Sequence, residues 1–566
     1  MLKGIGASRG AAVGTALVIK ERPADVQEKR TDPIDPKTEL AGFENAVQTF
    51  CAKTEKMAQK LDETGASGEI LRGHILMLKD PFMLSQITEQ IQNKISAVDA
   101  VTATCNMFAE IFAAADDELT RQRAADVQDI KTRLIHILNG EEETDLSDLP
   151  ENTVLVVGEL TPSMTAGMDS AHVCAIVTEK GGKTSHCAIL ARAMRIPAVL
   201  SAAGVTESIQ TGDLVAVNGG TGEVQIAPDA QTVAAFEKLK AEFAEKEAVL
   251  QQFKGKPTVT ADGKVKELFA NIGSDRDVQE AMENDAEGIG LFRTEFLFMD
   301  RNALPTEEEQ FSAYRAAVTG LKGKPLIIRT LDIGGDKEIP YLGLKKEENP
   351  FLGFRAVRYC LQNTDVFKTQ LRAILRASAF GDIRIMLPLV TCVEEVENAK
   401  ALLHAVQEEL IAEKIEFNKE IPIGVMIETP AACLIADLLS RQVDFFSIGT
   451  NDLTQYIMAA DRGNADVEYL YSVYQPAVLR GIQHIIACAK EAGIPAGMCG
   501  EAAADPYLIP LLVAFGLDEF SVSSNAVLEV REQISRWTVD AAHEIADKAL
   551  ALQTEQQVRE YLKTVV

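Results

Sequence analysis

Asp444-Phe445-Phe446-Ser447-Ile448-Gly449-Thr450-Asn451-Asp452 contains a short apolar strand candidate, Phe446-Ser447-Ile448, which runs into the polar pair Asn451-Asp452. The same unit recurs from about residue 258 onward. Leu268-Phe269-Ala270, Ile289-Gly290-Leu291-Phe292, Leu326-Ile327-Ile328, Ile385-Met386-Leu387, Val425-Met426-Ile427, Gly497-Met498-Cys499 and Phe520-Ser521-Val522 are further strand candidates. Helical sequence separates most of them, and this alternation predicts a (β/α)8 barrel. Asn271, Arg293, Arg329, Glu428, Asn451-Asp452 and Cys499 to Glu501 fall at or just past the strand ends, where barrel active sites are built. A single charged residue there is usually a loop residue. Arginines and carboxylates together at several such ends point to a site.

The residue types suggest its chemistry. Arg293, Arg329 and Arg462 predict a small ligand with several negative charges, because guanidinium groups form forked bonds to phosphate and carboxylate. Glu428 and Asp452 are hard oxygen ligands suited to Mg²⁺. Cys499, among small neighbours, could transfer a proton; a core cysteine is the bland alternative. Phosphoryl transfer is mostly positioning and charge neutralisation, which these groups supply. No Gly-x-x-x-x-Gly-Lys-Ser/Thr run occurs, so a P-loop donor is not expected.

A second candidate centre lies upstream, in Gly181-Gly182-Lys183-Thr184-Ser185-His186-Cys187-Ala188-Ile189-Leu190-Ala191-Arg192. The glycines allow a sharp turn, Thr184 and Ser185 can cap a helix, and a helix start suits a phosphate. His186 would stand there as a nucleophile, or simply as a polar residue of a first turn. Val154 to Val157, Ala175 to Val177, Ala198 to Leu200, Leu214 to Val217 and Val224 to Ile226 predict strands of a small α/β domain around it. The early apolar run Ala16 to Ile19 is expected to join that sheet after a long insertion. Leu40, Phe43, Val47, Phe50, Met57 and Leu61 form one helical seam in the insertion. Ile87, Ile91, Ile95 and then Val127, Ile130, Leu134 and Ile137 form others, which predicts a helical bundle. A polar helix with Phe236, Leu239, Phe243, Leu250 and Phe253 on its stripe leads on to the barrel.

The formal net charge of −28 repels nucleic-acid backbones and suits a basic protein partner. No signal peptide or bilayer-spanning run is visible. Nine cysteines without a Cys-x-x-Cys pair fit free thiols, so a cytoplasmic protein without membrane insertion is expected.

Gly181 to His186 resembles the phosphohistidine signature of the phosphoenolpyruvate-utilising enzymes, and Asp444 to Tyr456 resembles their barrel signature. Gly290 to Met299, Asp332 to Lys337 and Glu347 to Gly353 narrow the resemblance to the Enzyme I family of the sugar phosphotransferase system, over the whole chain. It implies a multidomain α/β protein. Residues 1–20 would begin the phosphohistidine α/β domain, 21–144 form an α-helical HPr-binding insert, and 145–228 complete the α/β domain. Residues 229–257 would be a linker helix, and 258–566 a phosphoenolpyruvate-binding (β/α)8 barrel that also forms a homodimer. His186 would pass the phosphoryl group from phosphoenolpyruvate to the carrier HPr. Arg293, Arg329, Asn451 and Arg462 match substrate contacts, Glu428 and Asp452 the Mg²⁺ ligands, and Cys499 the acid that turns the enolate into pyruvate. Thr165 falls where the family places a hydroxyl near the histidine. Lys183, Cys187 as an oxidation site, and the loop Tyr471 to Pro476 depart from the family pattern. Pyruvate phosphate dikinase and phosphoenolpyruvate synthase share these domains but need an ATP-binding domain, for which no room is seen before the insert. A silent binding protein on the same fold is disfavoured because each chemical position is filled.

Overall fold

The computed structural model describes residues 1–566 apart from 20–33, 64–67, 114–117, 141–145, 147–148, 162–163, 165–167, 169–170, 183–185, 300, 302, 335–338, 346 and 465. The expected joins at 20/21 and 144/145, Thr165 and Lys183 therefore lie outside the described residues. The chain divides into two compact units, Met1–Glu247 and Ala248–Val566.

The first unit contains an eight-stranded sheet. Its strands are β1 (Leu2–Lys3), β2 (Ile5–Ser8), β3 (Ala11–Ile19), β4 (Thr153–Val157), β5 (Val173–Thr178), β6 (Ala198–Leu200), β7 (Leu214–Asn218) and β8 (Glu223–Ile226), in the order β1-β8-β7-β3-β4-β5-β6-β2. Ala16 pairs with Val154 and Ile19 with Val157, so the early apolar run does find its partner beyond the insertion. β4 is buried along its whole length because sheet faces on both sides are covered. Asn218 closes the β7–β8 turn, its Oδ1 accepting from the N–H groups of Gly220 and Thr221.

Among the described residues the insertion holds five helices: α1 (Pro36–Glu63), α2 (Glu69–Leu78), α3 (Pro81–Gln92), α4 (Ala97–Ala113) and α5 (Glu118–Asn139). Phe43, Phe50, Ile87, Ile91, Val101, Val127, Ile130 and Leu134 share one buried core. Ile95 does not continue the α3 stripe. Lys94 turns left-handed at φ +65°, Ile95 donates its N–H to Gln90 O, and its side chain is exposed. A helix cannot run through such a residue.

The second unit is a closed barrel of parallel strands. They are β9 (Glu267–Ile272), β10 (Ile289–Arg293), β11 (Leu326–Arg329), β12 (Ile383–Leu387), β13 (Ile423–Ile427), β14 (Phe445–Ile448), β15 (Ala496–Met498) and β16 (Glu519–Ser523), and β16 pairs back onto β9. Helices cover the outer face. Phe269, Leu291, Ile327, Met386, Met426, Phe445 and Cys499 pack together inside. Among the described residues no helix is long and apolar enough to cross a membrane.

Candidate active site

The C-terminal strand ends bring the expected charged residues together. Arg329 is the last residue of β11, and Glu428 follows β13 directly. Asn451 and Asp452 stand in the first turn of the helix Thr450–Met458, after β14. Arg329 Nη2 lies 2.6 Å from Glu295 Oε1 and its Nη1 lies 3.1 Å from Asp332 Oδ2. Arg355 Nη2 is 2.9 Å from Asp332 Oδ1 and 3.5 Å from Asp452 Oδ2. Arg462 Nη1 reaches the other oxygen of Asp452 at 3.3 Å. Both Arg355 and Arg462 also sit over the Phe351 ring, at 5.9 and 5.8 Å. Tyr456 donates its hydroxyl to Phe351 O and so ties that loop to the Thr450–Met458 helix.

Two features of the network suit an anionic ligand. First, Nε of Arg329 and Nε of Arg355 are buried, and among the described residues neither has an acceptor. A buried donor left unpaired is costly, so an incoming phosphate or carboxylate would relieve both. Burial alone would lower both guanidinium pKa values, yet the carboxylates around them outweigh it and hold both groups charged. Second, Glu428 is buried and accepts the N–H of Leu389 at 2.6 Å. Leu389 adopts φ +55° there, a strained backbone of the kind found beside sites. Burial, then Asp452 and Asp332, push the Glu428 carboxyl up to about 8, against the pull of Arg329 and Arg355. A divalent cation suits two crowded carboxylates of this kind. Among the described residues no three His, Cys, Asp or Glu side chains could hold a metal by themselves.

The remaining predicted residues differ in placement. Cys499 is buried just past β15, and its Sγ lies 3.9 Å from Ile448 O. Burial pushes its thiol up to about 11, with the Ser447 hydroxyl and Arg329 pulling the other way. Asn451 accepts the N–H of Glu501 at 3.4 Å. Arg293 ends β10 with an exposed side chain over the Phe296 ring, and among the described residues no ion pair joins it to the network. His186 belongs to the first unit. It opens the helix α6 (His186–Ala193), and its side chain lies outside the described residues. The preceding turn does use glycine, since Gly181 takes φ +107° and its carbonyl accepts the Ser201 hydroxyl at 2.7 Å. Cys187, expected as an oxidation site, is instead a packing residue. It is buried with Ala188 and Ala191, and burial pushes its thiol up to about 12, which leaves little thiolate.

Residues 247–539 match the PEP-binding domain of the PEP-utilising enzymes, 3–123 their N-terminal domain and 149–222 their mobile domain. The chain is 44% identical to a phosphoenolpyruvate-protein phosphotransferase of Geobacillus stearothermophilus, over 99% of this chain and 97% of that one. The chain belongs to the PEP-utilising enzyme family. A Bacillus subtilis (strain 168) protein of the same name is 42% identical over 99% of each chain. A solution structure of an Enzyme I protein aligns with 43% of this chain and all of that one, at 33% identity and a TM-score of 0.37.

Sequence reasoning gave Arg355, Glu295 and Asp332 of this PEP-utilising enzyme no role. Glu295 and Asp332 stand in the family-like stretches, and each follows a strand-end arginine by two or three residues. That spacing was the available signal. Arg355 gives none, because it enters from the loop before the helix Ala356–Gln362.

Proposed function

We propose that the chain takes the phosphoryl group of phosphoenolpyruvate onto His186 and hands it to a histidine of the carrier HPr, releasing pyruvate, as the first step of sugar phosphotransfer. It is a phosphotransferase enzyme, as its full-length relatives are. The observation that carries the reading is the pair of buried arginines, Arg329 and Arg355, each with a donor left over, beside the carboxylates Glu428 and Asp452.

In this reading Arg329 and Arg293 bind the phosphoryl oxygens, and Asn451 and Arg462 orient the rest of the substrate. Glu428 and Asp452 would hold Mg²⁺, which when bound supplies charge neutralisation on the phosphoryl oxygens. The imidazole of His186 attacks phosphorus. Cys499 gives its proton to C3 of the departing enolate, inside a barrel lined by apolar side chains. The helical insert is the HPr-docking domain, and the barrel is the dimerisation domain of a cytoplasmic homodimer. Exposed Leu434 and Tyr469 are apolar surface of the kind that a second barrel would cover.

Incubation with radiolabelled phosphoenolpyruvate and Mg²⁺ tests the reading. Acid-labile label should map to His186, pass to HPr, and be absent from His186→Ala. Normal labelling of that variant, or label on another residue, overturns it.

A further inference from the structure

Gln370 is a buried amide that the reaction above does not use. It lies on the helix Thr364–Ala377, where Phe367, Leu371 and Ile374 join the apolar core around the barrel. A leucine at position 370 would continue that face, and a buried amide is costly unless its bonds are complete. They are complete. Gln370 Oε1 accepts the N–H of Leu331 at 2.9 Å, and Nε2 donates to Thr294 Oγ1 at 3.2 Å and to Tyr314 Oη at 3.3 Å. The Leu331 N–H can only donate, so it fixes which way the amide faces.

The bonds run on from there in both directions. The Tyr314 hydroxyl donates to Gln310 Oε1 at 3.3 Å, and Gln310 Nε2 donates to Pro305 O at 3.1 Å, which anchors the network in the helix Glu307–Gly320. The Thr294 hydroxyl donates to Arg329 O at 2.8 Å. Thr294, Gln310, Tyr314 and Gln370 are all buried, so water does not compete for these bonds. At the site end, β11 stops at Arg329. Thr330 still donates to Met386 O of β12 at 2.9 Å, whereas Leu331 donates to the Gln370 side chain. Asp332 follows Leu331 and Glu295 follows Thr294. These are the two carboxylates that grip Arg329, at 3.1 and 2.6 Å. One amide therefore holds the backbone beside each of them and, through Thr294, the carbonyl of Arg329 itself.

We propose that Gln370 is a positioning residue for phosphoryl transfer: it fixes Glu295 and Asp332, and these aim the Arg329 guanidinium at the phosphoryl group. The inference rests on the phosphoenolpyruvate reading above. Gln370 touches no substrate and acts only through the residues it holds. Without it the Leu331 N–H and the Thr294 hydroxyl each lose a partner, and the two carboxylates are free to draw the guanidinium off its line. A displacement of about 1 Å at such a group is enough to slow transfer severely.

The test uses full-length protein with saturating labelled phosphoenolpyruvate and Mg²⁺, and Trp537 fluorescence gives the folded fraction of the barrel. In Gln370→Leu the rate of His186 labelling per folded molecule should fall on the order of 10²-fold. Labelling of His186 by labelled phospho-HPr, which in this reading the first unit carries alone, should keep its wild-type rate. Thr294→Val, which removes the hydroxyl between Gln370 and Arg329 O, should change the two rates in the same directions. Gln370→Glu supplies a readout that mere packing would not move. A protonated carboxyl accepts from Leu331 and donates to Thr294, whereas an ionised one only accepts. The ratio of its labelling rate to that of the wild type, again per folded molecule, should therefore rise as pH falls, and this variant carries the test if Gln370→Leu does not fold. A wild-type rate in folded Gln370→Leu, a ratio for Gln370→Glu that is flat with pH, or labelling that falls only in step with the folded fraction overturns the inference and leaves the phosphoenolpyruvate reading standing. If wild-type His186 takes no label at all, that reading falls, and this inference with it.

Discussion

Arg531 lies at the N-terminal ends of the barrel strands and Arg329 at their C-terminal ends, and both side chains are buried. Arg531 has every donor satisfied. Its Nε reaches Thr258 Oγ1 at 3.0 Å, Nη1 reaches Phe253 O and the Asp285 carboxylate, and Nη2 reaches Asp285 O at 2.7 Å. Glu287, 3.5 Å from the same guanidinium, also accepts the N–H of Thr258 and of Leu268. This end of the barrel is a closed set of bonds that ties loops to strands. Arg329 and Arg355 pair with carboxylates yet each retain an unanswered Nε–H. A buried charge whose bonds are complete holds the fold together. One whose bonds are incomplete keeps a donor that a ligand could take up.

The largest effect should come from breaking the incomplete end. Arg329→Ala should slow phosphoryl transfer from phosphoenolpyruvate about 10³-fold, as expected for a guanidinium that stabilises the transferring group. Quench-flow labelling of His186 measures this. A rate within tenfold of the wild type would remove Arg329 from the reaction.

At the complete end the outcome should invert. Arg531→Ala leaves Asp285 without its partner, which should cost about 3–5 kcal/mol of barrel stability. Trp537, the chain's one tryptophan, lies in the barrel, so its fluorescence during denaturation reads that loss. Phosphoryl transfer by the folded fraction should stay unchanged. A catalytic defect without a stability defect would erase the distinction between the two ends.

The same contrast explains what the sequence could reveal. Barrel strands are buried on both faces, so they read as short unbroken apolar runs; Val425-Met426-Ile427 is buried throughout. Arg329 and Glu428 were legible because they stand at the ends of such runs. Arg355 was not, since only tertiary folding carries its loop to Asp332 and Asp452. Asp518-Glu519 reads locally as the polar edge of a turn. Its burial depends on Gly290 and Gly497, which come from other strands. Ile95 kept the helical spacing but lay past a left-handed Lys94, a conformation that lysine does not advertise.

Glu519 stands between the two ends and offers a pH test of intermediate size. A carboxyl raised from 4.5 to about 8 keeps a proton in the folded state that the unfolded chain has released. Stability from this group therefore falls as pH rises through that window and levels off above it. One proton corresponds to a slope of about 1.4 kcal/mol per pH unit. Glu519→Gln should flatten the wild-type curve of barrel stability against pH by that slope between pH 5 and 8. Parallel curves would mean that the carboxyl is already ionised in the fold.

The smallest effect should come from charges that follow a strand end yet belong with Arg531 in kind. After β10 the chain reaches Thr306, which caps the helix Glu307–Gly320. Its hydroxyl accepts the N–H of Glu309, whose carboxylate accepts the N–H of Thr306 in return at 2.7 Å and also meets Arg301. These bonds are reciprocal and leave nothing over. Hydrogen bonds from Arg301 first, then from Thr306, hold the Glu309 carboxyl down to about 2, so its contribution is present above pH 4.5 and is lost as pH falls toward 2. Thr306→Ala should cost about 1 kcal/mol, the usual loss for a removed N-cap. The unfolding free energy read from Trp537 fluorescence should fall by that amount, with a lower midpoint, and His186 labelling should not change. If Thr306→Ala instead slowed labelling while leaving the midpoint alone, position along the strand, not completeness of bonding, would be what separates chemical charges from structural ones.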